Sequence, residues 1–129
     1  MAIHNEVGKK GEEIGKNFLQ SNGFEILMTN AFFGKKEIDI ISEKDNIVRL
    51  VEVKTTHTGS NITSEDNFTK DKISHLVSVL RLIEQDEQFH GKRLQIDFLA
   101  ISINLGTRTA HCRLVQNIDT DMLGSGGRR

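Results

Sequence analysis

The chain has no proline, tryptophan or tyrosine, and a single cysteine, Cys112. One cysteine cannot close an internal disulfide, so the fold must stand on its core, and a reducing, cytoplasmic setting is expected. No apolar run approaches the roughly 18–20 residues needed to span a bilayer, so no membrane partner is expected. Residues 1–10 are polar and carry no signal-peptide h-region. The net charge is −1, so the chain lacks the overall basicity common among nucleic-acid binders. A local basic patch would have to supply any phosphate contacts. Stacking on unpaired bases would fall to seven Phe, several of which read as core. No internal repeat appears at solenoid periods.

With 36% apolar and 27% charged residues in 129, the chain has what one soluble domain needs. We place that domain at 1–117, with 118–129 as a C-terminal extension whose Gly-rich tail, 124–129, is expected to be flexible. Residues 5–23 read as a helix, with Asn5 as N-cap, Gly23 just past its end, and Val7, Ile14 and Phe18 on one stripe. Gly8, Gly11 and Gly15 are costly inside a helix and imply close approach to another element. Three strands follow at 24–33, 36–43 and 47–56. Gly34-Lys35 and Asp45-Asn46 make the two tight links. Residues 57–67 read as a polar loop.

A second helix is expected from about 69 to 88, capped by Thr69, with Asp71 in its first turn. Its apolar face is Ile73, Leu76, Val77, Leu80 and Ile83. Residues 94–103 are nearly all apolar, as in a strand covered on both faces. A last strand, 107–115, holds Cys112 as a small apolar filler between Ala110 and Leu114. The order is α-β-β-β-α-β-β: an α/β fold with a mixed five-stranded sheet flanked by helices. A right-handed crossover through the second helix would make the third and fourth strands parallel.

The second hairpin carries the chemistry. With Asp45 and Asn46 as its turn, Asp39 falls directly across from Glu52, and Glu37 across from Lys54. Alternation then puts Glu37, Asp39, Ile41, Val48, Leu50, Glu52 and Lys54 on one face, and Ile38, Ile40, Val51 and Val53 on the other. Opposed Cβ atoms lie about 4.5–5.5 Å apart, where like charges repel. This face therefore needs cations, and Lys54 is one. A divalent ion such as Mg²⁺, which takes one or two carboxylates plus waters, is the natural second. Asp39 and Glu52 offer it oxygens, and the Val53 carbonyl could add a third. The plain alternative is a wet strand face with a Glu37–Lys54 ion pair. Ile41, Val48 and Leu50 on the same face argue against simple exposure, and Asp is depleted in strands.

Gly11-Glu12, then Glu37-Ile38-Asp39-Ile40-Ile41, then Val51-Glu52-Val53-Lys54 resemble the YraN-like family of small predicted endonucleases. That family has the restriction-endonuclease-like core and the PD-(D/E)xK signature. Thr69, Lys72 and Asp97 match further family positions, so the resemblance runs from about residue 7 to residue 103. The chain departs from the family pattern at Lys36, Thr56 and Lys70, where glycine, arginine and proline are common.

The resemblance implies metal-assisted hydrolysis of a DNA phosphodiester, on branched, damaged or single-stranded substrates. Asp39 and Glu52 would hold Mg²⁺ or Mn²⁺, which would polarise the phosphate. Lys54 would orient the attacking water or stabilise the developing charge. Glu12, which flanks the helix stripe while Glu13 points away, would hold a water of the ion or a second ion.

Lys72, at the start of the second helix, could contact a phosphate. Lys35 and Lys36, with Lys9 and Lys10, could extend a DNA-facing patch; solubilising charge is the ordinary reading of such lysines. Asp97, inside an apolar strand, reads first as a structural hydrogen-bonding group. A homodimer would suit a two-fold substrate. The competing reading is a non-catalytic nucleic-acid-binding or scaffolding module that keeps the fold. The five histidines and Cys112 show no zinc-ligand spacing, and no Ser/His/Asp or phosphate-loop motif is present.

Overall fold

The computed structural model describes residues 2–58 and 69–118, with side chains from residue 6 onward. The elements are α1 (Ala2–Ser21), β1 (Glu25–Phe33), β2 (Lys36–Lys44), β3 (Ile47–His57), α2 (Lys70–Glu84), a 3-10 turn (Glu87–Phe89), β4 (Arg93–Asn104) and β5 (Thr109–Val115). The five strands form one sheet in chain order. All neighbours are antiparallel except β3 and β4, which α2 joins as a parallel pair. The expected mixed α/β sheet flanked by helices is the observed one.

The two helices cover opposite faces. Val7 and Leu19 of α1 pack on Ile40, Val51, Leu99 and Ile101. Leu76, Val79 and Ile83 of α2 pack on Ile41, Val48, Leu50 and Ile96. The alternating residues of β2, β3 and β4 divide between these two cores, which is why those strands read as continuous apolar runs. Among the described residues, no helix is long and apolar enough to cross a membrane.

Local signals set most boundaries. Gly23 has φ +88, its N–H donates to Gln20 O, and Phe24 N–H donates to Leu19 O. That pair of bonds is a Schellman ending, so α1 stops where the glycine is. Asp45 and Asn46 both have positive φ, 56° and 64°, as a two-residue type I′ turn requires. The Thr69 hydroxyl accepts from Lys72 N–H at 3.3 Å and starts α2.

Four expectations need correction. Helix α1 begins at Ala2, so Asn5 lies inside it rather than capping it. Helix α2 ends at Glu84, not near residue 88, because the Asp86 carboxylate caps a separate 3-10 turn by accepting from Gln88 N–H. Val79 is buried in α2, while Val77 and Leu80 are only half-buried. Strand β5 begins at Thr109, because Asn104 holds residues 106–108 in a turn through its side chain and carbonyl. The expected loop at 57–67 and tail at 124–129 fall largely or wholly outside the described residues. Beyond β5 the chain still packs back: Asn117 N–H donates to Asp97 and Ile118 N–H to Ile96 O.

A candidate metal centre at a fork in the sheet

The β2–β3 hairpin keeps the register its turn dictates, from Lys44↔Ile47 up to Ile40↔Val51, and there the ladder ends. The pairs Asp39–Glu52 and Glu37–Lys54, expected from that register, are not formed. Instead an Asp39 Oδ2 accepts the Val53 N–H at 2.8 Å. A side-chain carboxylate thus takes the place of a backbone partner, and the two strands part around it.

The strand alternation breaks at the same point. Ile38 packs under α2 with Ile41, Val48 and Leu50, whereas Ile40 packs on the α1 side with Val51. A regular strand would keep Ile38 with Ile40. The face assigned to Ile38 from the sequence is therefore wrong. Its cause lies on the neighbouring strand as well: Asn30, opposite Asp39, has φ 50, and pairing passes directly from Thr29↔Ile40 to Ala31↔Ile38. Asn tolerates this left-handed conformation better than most residues.

Three elements bring acids to the fork. Asp39 comes from β2 and the buried Glu52 from β3. Glu12 comes from α1, held close by Gly11. A Cβ on Gly11 would sit 2.0 Å from Thr55 Oγ1, so only glycine allows the helix this near β3. Gly15 approaches Leu99 and Ile101 similarly, but Gly8 faces open space, so its expected close contact is absent. Glu12 is half-buried and Glu13 exposed, as their helical positions suggested.

The Asp39 carboxyl is pushed up to about 7, first by burial and then by the Glu52 charge; Glu12 and Glu37 add to the rise, and the Val53 hydrogen bond opposes it. Four acids therefore share one field. Lys72 Nζ meets Glu52 Oε2 at 2.6 Å, and that hydrogen bond raises the lysine above its ordinary value.

Residues 11–101 match the Uncharacterised protein family UPF0102. The chain belongs to this family, the YraN-like group. It is 47% identical to the UPF0102 protein FP2501 of Flavobacterium psychrophilum over 62% of this chain and 67% of that protein. It is 36% identical to a UPF0102 protein of Chloroherpeton thalassium over 80% of each chain. A UPF0102 protein of Christiangramia forsetii is also 36% identical, over 86% of this chain and 93% of the relative. The match spans Glu12, Asp39, Glu52, Lys54, Lys72 and Asp97.

In this UPF0102 chain Lys54 follows Glu52 on the α2 side of β3, half-buried and, among the described residues, without an ion pair. The plain Glu37–Lys54 bridge is therefore not made. Lys72, read from the sequence as a phosphate contact, instead reaches the centre itself. No feature of the sequence pairs it with Glu52, which lies 20 residues away on another element. Lys35 and Lys36 sit in and beside the β1–β2 turn, Lys35 exposed and Lys36 half-buried. A cleft of about 460 Å³ opens beside the fork on the α1 side, lined by the lysines Lys9, Lys10 and Lys16 and the acids Glu6, Glu12, Glu13 and Asp39, with Asn30 beside them. Lys16 and Asn30 were missed, the first because its helix turn carries no other signal.

Asp97 belongs elsewhere. Its carboxylate meets Arg49 Nη1 at 3.3 Å, and accepts from Gln95 Nε2 and Asn117 N–H at 2.9 Å each. This is the structural role first read for it.

Among the described residues, no three Asp, Glu, His or Cys side chains form a ready cage for one ion. The donor set is sparse, namely Asp39 and Glu52 with a strand carbonyl. That set suits a hard divalent ion that keeps waters and takes substrate oxygens. An aspartate whose carboxyl is raised by burial and by neighbouring acids is a place where a cation would be favoured.

Proposed function

We propose that this chain is a metal-dependent endonuclease that hydrolyses phosphodiester bonds in DNA, with Mg²⁺ or Mn²⁺ held by Asp39, Glu52 and the Val53 carbonyl. The observation that carries this reading is the convergence of Asp39, Glu52 and Glu12 at a strand fork, against a single paired lysine. A divalent ion, when bound, would make the phosphate electrophilic and the attacking water more acidic.

The chain's own residues do the rest. Asp39 is locked in place by the Val53 N–H, which fixes one donor without using a side chain from elsewhere. Lys54, free of any ion pair among the described residues, hydrogen-bonds the attacking water and then offsets the charge growing on the phosphorane oxygens. Glu12 accepts a hydrogen bond from that water on the α1 side. Lys72 holds Glu52 and lies at the N-terminal end of α2, where a phosphate is also favoured. Lys35 and Lys36, with the cleft lysines, carry the flanking phosphates. A chain of net charge −1 suits DNA only through such a local patch, and a homodimer would double it.

A second reading is a nucleic-acid-binding module without catalysis. The Lys72–Glu52 ion pair favours it, since an ammonium already neutralises one of the two acids.

Incubation of linear, single-stranded, flapped and four-way-junction DNA with wild type and Glu52→Ala, in Mg²⁺, Mn²⁺ or EDTA, separates the two. Metal-dependent cutting that Glu52→Ala abolishes is expected. Binding without cutting on every substrate would establish the module instead.

A further inference from the structure

The β1–β2 hairpin tip stands at the same end of the sheet as the fork, since Asp39 is only three residues into β2. Of the Phe residues with described side chains, Phe24, Phe89 and Phe98 are buried, and Phe18 and Phe33 half-buried. Phe32 is 65% exposed. An open aromatic ring on a chain with no Trp or Tyr invites explanation.

Its direction follows from its neighbours. Ala31 and Phe33 pack under α2. Phe32 therefore points to the opposite face, the α1 side. That is the side on which the cleft lined by Asn30, Asp39 and the interleaved lysines and glutamates of α1 opens. Phe32 pairs with Glu37, one of the acids whose charge reaches Asp39. Lys35 and Lys36 follow it through the turn. The tip thus presents a flat apolar ring with Glu37 across from it and the exposed Lys35 in the turn beyond, at the rim of the candidate centre.

An anionic polymer with flat rings matches that surface. Phosphates go to the lysines, and an uncharged base goes to the ring, where the nearby Glu37 would repel a phosphate. Duplex DNA keeps its bases stacked inside, so only an unpaired base can reach Phe32. We propose that Phe32 is a base-stacking platform, which directs this chain to nucleic acid with unpaired nucleotides beside the bond to be cut. This rests on the nuclease reading for its chemistry, but the stacking can be tested alone.

Because the chain lacks Trp and Tyr, Phe32→Trp would install its sole strong fluorophore. Titration with a single-stranded oligodeoxynucleotide in EDTA, where no metal-dependent cutting occurs, should quench that emission; a blunt duplex should quench it far less. Phe32→Ala should bind the single strand roughly 5- to 100-fold more weakly, as loss of one base–aromatic stack does. Equal binding by Phe32→Ala, or unchanged emission at saturating strand, would overturn the platform and leave the nuclease reading intact. Quenching without any cutting in Mg²⁺ or Mn²⁺ would leave the platform and overturn the nuclease. No binding of the single strand by wild type would overturn the platform and leave the nuclease reading to the cleavage assay. A Phe32→Ala change in sedimentation with unchanged DNA binding would assign the ring to a second copy of the chain and overturn the platform.

Discussion

Two strand aspartates of this chain, Asp97 buried and Asp39 half-buried, live in opposite ways. Asp97 is fully buried and fully served: Arg49, itself only 4% exposed, Gln95 and the Asn117 N–H all converge on it. Asp39 has one backbone N–H and three acidic neighbours, and its carboxyl is held near 7. A buried acid completed by its partners fastens one strand to another. An acid surrounded by more acids holds its proton instead. The sequence offers both as an Asp inside an apolar strand, and only the partners tell them apart.

The largest break in this comparison should come from Asp97→Ala. It leaves the buried Arg49 guanidinium without its counter-charge, held by Gln116 Oε1 and the Lys44 carbonyl, and should cost about 3–5 kcal/mol in chemical denaturation. Asp39→Asn should do the reverse without metal. Folded Asp39 keeps its proton up to about pH 7, whereas an aspartate in the unfolded chain loses it near 3.8. The folded state thus binds the extra proton in that window, so wild-type stability should fall as pH rises from about 4 to 7. Asp39→Asn removes this fall and should gain about 1–3 kcal/mol at neutral pH. A flat wild-type profile across that window would contradict the crowding of acids at the fork.

Smaller effects test how α1 is seated. Gly11→Ala would drive a methyl into Thr55 and should cost about 1–3 kcal/mol, moving Glu12 off the centre. Gly8→Ala, with open space around it, should instead gain about 0.5–1 kcal/mol from helix propensity alone. Thermal melts of the two variants, side by side, should move in opposite directions.

Much of this was legible in the residues. Asp45-Asn46 fixed the hairpin register, Gly23 the end of α1 and Thr69 the start of α2, because each acts through its own neighbours. Asp39 and Glu52, with Glu37, are legible as a group because like charges on one strand pair demand a cation, whereas Glu12, on α1, enters through the family resemblance. What alternation could not supply was its own failure. The left-handed Asn30 and the ladder's end at Ile40↔Val51 turn Ile38 to the other face, and neither leaves a period in the sequence. Arg49 was missed as the partner of Asp97 because the parallel β3–β4 register brings them together across 48 residues. Lys72 was placed on the right end of the right helix, but its bond to Glu52 is a tertiary contact across 20 residues that leaves no local pattern.

The most direct test of the centre is a Mn²⁺ titration followed by electron paramagnetic resonance, on wild type, Asp39→Asn, Glu52→Gln and the exposed neighbour Glu13→Gln. Wild type and Glu13→Gln should take up the ion, releasing protons most strongly below pH 7, and the two fork variants should bind it at least roughly ten-fold more weakly. Uptake that survives in both fork variants, or no uptake by wild type, would contradict a metal centre at the fork.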